Sequence, residues 1–107
     1  MVTDTVPGEP LEFPAAAAGV FGVLHRRWAP HLLMLLNQRP AGFVELQRAV
    51  PGLSSASLNE RLRDLVEAGL VVRRHCPGPP MTSRYELTVA GAQVGRHLTL
   101  LASASAL

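Results

Sequence analysis

In a chain of 107 residues, one stretch gathers side chains that can hydrogen-bond a flat heteroaromatic edge or a phosphate: Ser54, Ser55, Ser57, Asn59 and Arg63, with the small Ala56 between them. The carboxamide of Asn offers a donor beside an acceptor and can pair bidentately with adenine, as the planar fork of Arg can with guanine. Serine hydroxyls next to the free N–H groups of a helix start suit a phosphate oxygen or a base edge. The competing reading is ordinary helix chemistry, because Ser57 and Glu60 have capping-box spacing and Arg63 and Glu67 stand four apart, as an ion pair would.

Other reactive groups are sparse. Cys76 follows Arg73, Arg74 and His75, and neighbouring positive charge favours the thiolate, so a thiol-based redox response at Cys76 is one alternative and inert packing at a strand end is the other. As the one cysteine of the chain, it excludes an internal disulfide framework. His25, His31, Cys76 and His97 lack the spacing of metal ligands, so neither a metal nor another cofactor is expected. There is no Gly-rich phosphate loop, the serines have no obvious base, and the carboxylates fall on solvent faces, so an enzyme is not expected.

Charge distribution adds direction. The formal charge is +2, but Asp4, Glu9 and Glu12 fall in the first twelve residues, leaving a basic remainder whose cations are all Arg. With 48% hydrophobic and 17% charged residues the composition is that of a globular domain, small enough that burial in an oligomer would help it. No apolar run reaches the length of a membrane span, no basic segment opens a secretory signal, and a cytoplasmic protein is expected.

These residues need elements to hold them. Residues 1–12 read as a flexible acidic leader and 13–107 as the folded domain. From 14 to 27 a helix is expected with Ala17, Val20, Phe21 and Leu24 on one stripe and Val23 beside it; it is apolar enough to be buried between subunits or to be a central core helix. A second helix over 29–38 supplies Leu32, Leu33, Leu35 and Leu36 to the core, with Trp28 packed beneath it. A short third follows over 42–50, with Phe43, Leu46 and Val50 inward. Pro51 and Gly52 stop it, Ser54 or Ser55 caps a fourth running to Ala68, and Leu58, Leu62, Leu65 and Val66 form its inner stripe before Gly69 ends it. Two strands, 70–76 and 84–88, joined by a hairpin loop, precede a last helix from about Val89 with Val94, Leu98 and Leu101 on a stripe.

Helix, three-residue turn, helix and two-stranded wing is the order of a winged helix-turn-helix: mainly α, with a small β-hairpin. The run VPGLSSASLNERLRDLVEAGLVVRR over 50–74 resembles the HxlR-type winged-helix regulators, related to MarR and ArsR proteins, whose pattern is PGIS, L, then RL..L...GLV.R. The resemblance extends upstream through Trp28, Phe43, Glu45 and Leu46, and downstream through Pro79, Pro80 and the Y.LT..G motif of Tyr85, Leu87, Thr88 and Gly91. It implies a homodimer on double-stranded, palindromic operator DNA, with the N- and C-terminal helices as the dimer interface, here Ala17, Val20, Phe21, Leu24, Leu98 and Leu101. Ser54, Ser55, Ala56, Ser57, Asn59 and Arg63 are then the candidates at the DNA, with Arg74, His75 and Arg84 from the wing and Arg48 and Arg61 as further phosphate contacts. Phe21, Trp28, Leu32 and Met34 are candidates for the pocket of a small aromatic or apolar effector. A winged-helix module that docks another protein without binding DNA is a further alternative. Gly42 stands where many family members carry a basic residue, and Phe13 where redox-sensing members keep a Cys before a Pro.

Overall fold

A computed structural model describes residues 8–15 and 17–105, the side chains of Ala17 and Ser105 excepted. The elements run α1 (Ala17–Leu24), α2 (Ala29–Gln38), α3 (Phe43–Ala49), α4 (Ser55–Glu67), β1 (Val71–Cys76), β2 (Thr82–Leu87) and α5 (Val89–Ser105). This is the expected winged helix-turn-helix order. Residues 1–7 of the expected leader lie outside the described residues; 8–12 are exposed irregular backbone.

The core is built around α2, where Ala29, Leu32 and Leu33 are fully buried and Leu36 nearly so. Leu46 of α3 and Leu58, Leu62 and Leu65 of α4 close on it, while Leu35, Phe43 and Trp28 pack half-buried at its margin. Val66, expected inward, is instead 39% exposed, because the inner stripe of α4 is complete with the three leucines. The fourth helix ends as a Schellman motif: Gly69 at φ 77 donates to the Val66 carbonyl at 3.0 Å, and Leu70 N–H donates to the Leu65 carbonyl at 3.0 Å.

The first helix is shorter than expected at both ends. After Leu24 the chain tightens, with Arg26 N–H on the Val23 carbonyl and Ala29 N–H on the Arg26 carbonyl, each at 3.1 Å. Trp28, at φ 77, then reverses the backbone into α2. Among the described side chains of α1 only Val23 is buried, so α1 is not a central core helix.

The hairpin is antiparallel with Val71 opposite Leu87, Arg73 opposite Tyr85 and Cys76 opposite Thr82. Pairing persists to Thr82, so β2 starts two residues before the expected position. Ala41 extends the ladder through reciprocal backbone bonds with Tyr85 of 3.1 and 2.8 Å, fixing the wing to the segment before α3. No helix among the described residues is long and apolar enough to cross a membrane.

Glu45 secures the start of α3: its carboxylate accepts the Gly42 N–H at 3.0 Å and pairs with Arg39. The Arg39 hydrogen bond, followed by that from Gly42, lowers the Glu45 carboxyl from its ordinary 4.5 to about 2. A carboxyl whose pKa is lower in the folded than in the unfolded chain favours folding above its ordinary value and loses that contribution as pH falls toward its folded value. Glu45→Gln should therefore flatten the loss of stability between about pH 4.5 and 2, read as thermal midpoints across that range; unchanged acid sensitivity would contradict the pairing.

Candidate nucleic-acid interface

The turn Val50–Leu53 sets α4 so that one side enters the core and the other faces out. Ser54 caps the helix with its Oγ accepting Ser57 N–H at 3.1 Å. This is one of the two expected caps, and the competing Ser57–Glu60 capping box is not made: Ser57 lies inside the first turn, and Glu60 pairs with Arg61 at 3.1 Å. Ser55 Oγ accepts from Gln47 Nε2 at 3.0 Å. Two of the three serines thus tie the helix start to itself and to α3, while each retains a hydroxyl proton to donate.

Ala56, Asn59 and Arg63 are exposed on the outer face, with Ser57 half-buried among them. Asn59 and Arg63 also form one wall of a trough of about 350 Å³ between α4 and the wing, with Val66 and Glu67; Arg73 and Tyr85 form the facing wall. The expected Arg63–Glu67 pair is not made, and Arg63 has no ion-pair partner among the described residues.

Strand parity decides which wing cations join this trough. Arg73 and His75 share a face with Tyr85 and Ser83, whereas Arg74 and Arg84 lie on the opposite one. Arg74 pairs with Glu86, and Arg84 donates to the Pro40 carbonyl at 3.3 Å. Of the three wing candidates, Arg74 and Arg84 are therefore turned away from the trough and engaged with the protein, and His75 lies on the face of Arg73. Arg73, which sequence reasoning passed over, is held by a 3.1 Å bond from its Nε to Ser83 Oγ, leaving the outer nitrogens of its guanidinium for a ligand. Two signals could have found it: it is two residues from the inward Val71, and it occupies the Arg of the GLV.R pattern.

Arg61, expected as a phosphate contact, is likewise engaged within the protein. Its side chain is 12% exposed and donates to Asp64 at 2.8 Å, and Arg26 from the α1–α2 turn approaches the same carboxylate at 3.7 Å. The Nε of Arg61 is buried without a hydrogen-bond partner. Removing Asp64 leaves the nearly buried Arg61 charge with only the exposed Glu60, whereas removing Arg61 leaves the more exposed Asp64 carboxylate with Arg26 at 3.7 Å. Asp64→Ala is expected to cost about 2 kcal/mol and Arg61→Met less than about 1 kcal/mol, compared by urea unfolding; equal losses would show that the ion pair itself stabilises the fold. Arg48 is exposed on α3 without an ion-pair partner among the described residues.

Val20, Phe21 and Leu24 of α1 come together with Val94, Leu98 and Leu101 of α5 along an open, mainly apolar trough of about 390 Å³. Phe21 is 55% and Leu101 64% exposed. The side chain of Ala17 lies outside the described residues. The four effector-pocket candidates do not line one cavity: Phe21 is in this trough, Leu32 is sealed in the core, and Trp28 and Met34 line a separate cleft. Cys76 is half-buried at the end of β1. His25 and His97 donate from Nδ1 to the carbonyls of Phe21 and Gln93 on their own helices, and no group of three metal-ligating side chains occurs among the described residues.

The family model for the HxlR-like helix-turn-helix matches residues 23–105. The chain is 35% identical over 69 residues to the uncharacterised HTH-type transcriptional regulator YvaP of Bacillus subtilis, covering 64% of each chain. It is 32% identical over 71 residues to the HTH-type transcriptional regulator YodB of the same organism, covering 66% of this chain and 63% of that one. The matches thus span less than two thirds of either relative. In structure it resembles the reduced form of YodB, with TM-score 0.74, 26% identity and coverage of 87% of this chain and 90% of that one. It also resembles a possible HxlR family transcriptional factor from Thermoplasma volcanium, with TM-score 0.71, 26% identity and coverage of 95% and 84%.

Proposed function

The chain belongs to the HxlR-like helix-turn-helix family, whose members are transcriptional regulators rather than enzymes, and from that premise we propose that it occupies a two-fold operator as a homodimer and represses transcription by that occupancy. The observation that carries this is the pair Asn59 and Arg63, exposed on a capped helix and facing Arg73 across a trough. With α4 in the major groove, Asn59 and Arg63 reach base edges. The DNA backbone bordering that groove runs through the trough, where Arg73 meets a phosphate. The exposed apolar trough between α1 and α5 is the surface that a second copy covers, and two-fold pairing sets half-sites about 34 Å apart.

A thiol switch has less support. YodB is described in reduced and diamide-treated forms, but this chain has Phe13 in the position where the sequence pattern of redox-sensing members has Cys, and Cys76 lies on the wing instead.

Anisotropy titration of the protein on its own upstream region, against a scrambled duplex and at two salt concentrations, tests the proposal. Preferential binding that weakens steeply with salt is expected, since each neutralised phosphate releases counterions. No preference would favour the protein-docking alternative.

A further inference from the structure

A carboxylate sits on the face of α4 that carries Asn59 and Arg63. At the helical repeat, Ala56, Asn59, Glu60 and Arg63 form one i, i+3, i+4, i+7 stripe, and Glu60 stands almost diametrically opposite the buried Leu58, Leu62 and Leu65. Its side chain is 64% exposed. It shares an open hollow with Ala56, Ser57, Asn59 and Arg63 and is the one acidic residue lining it. A helix that lays Asn59 and Arg63 on base edges therefore carries Glu60 into the groove with them. Glu67 points the same way, but as the last residue of the helix it lies two turns further on, away from the N-terminal part that meets bases in helix-turn-helix proteins.

The carboxylate is anchored. Arg61 donates from one guanidinium nitrogen to Glu60 Oε1 at 3.1 Å and from another to Asp64 at 2.8 Å, and its side chain, only 12% exposed, has little room to turn. Arg26 approaches the same Asp64 carboxylate at 3.7 Å, so the charges of Arg26, Arg61, Glu60 and Asp64 balance. The cation behind Glu60 offsets part of the cost of bringing an anion near phosphates. Because Glu60 turns to Arg61, Arg63 stays clear of it, and Glu60 Oε2 accepts no hydrogen bond among the described residues.

An ionised carboxylate accepts and never donates. The amino donors of the major groove are those of cytosine N4 and adenine N6; adenine sets its N7 acceptor beside its amino group, where a carboxylate is repelled, and cytosine presents the donor alone. We propose that Glu60 is a specificity-determining residue that accepts from a cytosine N4 amino group and repels duplexes without a cytosine at that place, with Arg61 as the residue that positions it. This rests on the DNA-binding reading above. It gives Glu60 a signature that a purely attractive contact lacks, because removing a repelled group strengthens binding to the wrong sequences.

The full-length protein, Glu60→Ala, Glu60→Gln and Arg61→Met are titrated by anisotropy on the protein's own upstream region, on a scrambled duplex, and on duplexes in which each base pair of the footprinted segment is replaced in turn. In the wild-type protein, replacing one C·G pair should cost about tenfold; in Glu60→Ala that penalty should fall below about twofold, while binding to the scrambled duplex tightens about threefold. Glu60→Gln, which sets a donor beside an acceptor, should move the preference at that pair from C·G to A·T. Arg61→Met leaves the carboxylate unanchored and should reduce the penalty at that pair and at no other. A role of Glu60 in folding alone would produce none of these changes confined to one base pair. Base preferences in Glu60→Ala that match the wild-type protein, loss of preference at a pair other than C·G, or equal weakening on both duplexes overturns the proposal, and an unchanged penalty in Arg61→Met overturns the positioning role. Failure of the DNA-binding reading is seen separately, in a wild-type protein that does not prefer its upstream region, and the assignment of Glu60 falls with it.

Discussion

Gly91→Ala is expected to cost more than about 3 kcal/mol and to leave the protein largely unfolded near its working temperature. A Cβ at this position would lie 1.9 Å from the Leu70 carbonyl oxygen and 2.8 Å from its carbon. Both are backbone atoms, so no side-chain rotation relieves the overlap. Nor can the backbone retreat easily, because Leu70 is buried, closes the Schellman motif of α4, and accepts the Thr88 N–H at 3.1 Å. Thr88 completes the junction: its hydroxyl donates to the Gly69 carbonyl at 2.6 Å and accepts the Gly91 N–H at 3.0 Å, capping α5. The end of the recognition helix, the start of the wing and the start of α5 therefore meet at one point where only a hydrogen fits. Gly19→Ala is the control: with nothing within 4 Å of the added Cβ, it should be neutral or stabilising by up to about 1 kcal/mol. Guanidinium unfolding of the two variants decides the matter, and a loss below about 1 kcal/mol for Gly91→Ala would contradict the close approach of α5 to Leu70.

What was legible in the sequence follows from where local chemistry decides conformation. The limits of α2, α3 and α4 could be read because Pro40, Pro51, Gly52 and Gly69 stop helices by their own covalent geometry. The limits of α1 could not, because the alanines before it and the His25–Arg27 run after it are compatible with continued helix. The chain turns at Trp28, whose positive φ is imposed by tertiary packing and not by any preference of tryptophan. Face assignment shows the same division. Asn59 and Arg63 were placed outward by the leucine stripe alone, whereas Arg61 on that helix was misread because its approach to Asp64 and Arg26 depends on how the α1–α2 turn packs. Of the cleft beside Trp28, only Trp28 and Met34 were legible as pocket candidates, since it exists only where the outer side of α2 meets the end of α3.

The two arginines facing each other across the trough should respond differently to removal, and the difference tests the proposed division of labour. Arg63→Ala removes a group placed for a base edge, so it should weaken operator binding by about 5- to 150-fold, equivalent to ~1–3 kcal/mol, and change binding to a scrambled duplex far less. Arg73→Ala removes a group placed for the backbone. It should weaken both duplexes alike and reduce the slope of log affinity against log salt by about 1. Asn59→Ala should follow Arg63 in losing preference, because both stand on the same exposed face of α4. The two wing cations on the opposite face give the contrast: Arg74→Ala and Arg84→Ala leave the trough intact and should change the salt slope less than Arg73→Ala does. If Arg63→Ala lowers operator and scrambled binding equally, Arg63 is a phosphate contact and sequence reading falls to Asn59 and the serine tip. If Arg74→Ala or Arg84→Ala gives the full loss of slope instead, the wing meets DNA with its other face, and the trough between α4 and β1 is not where the backbone runs.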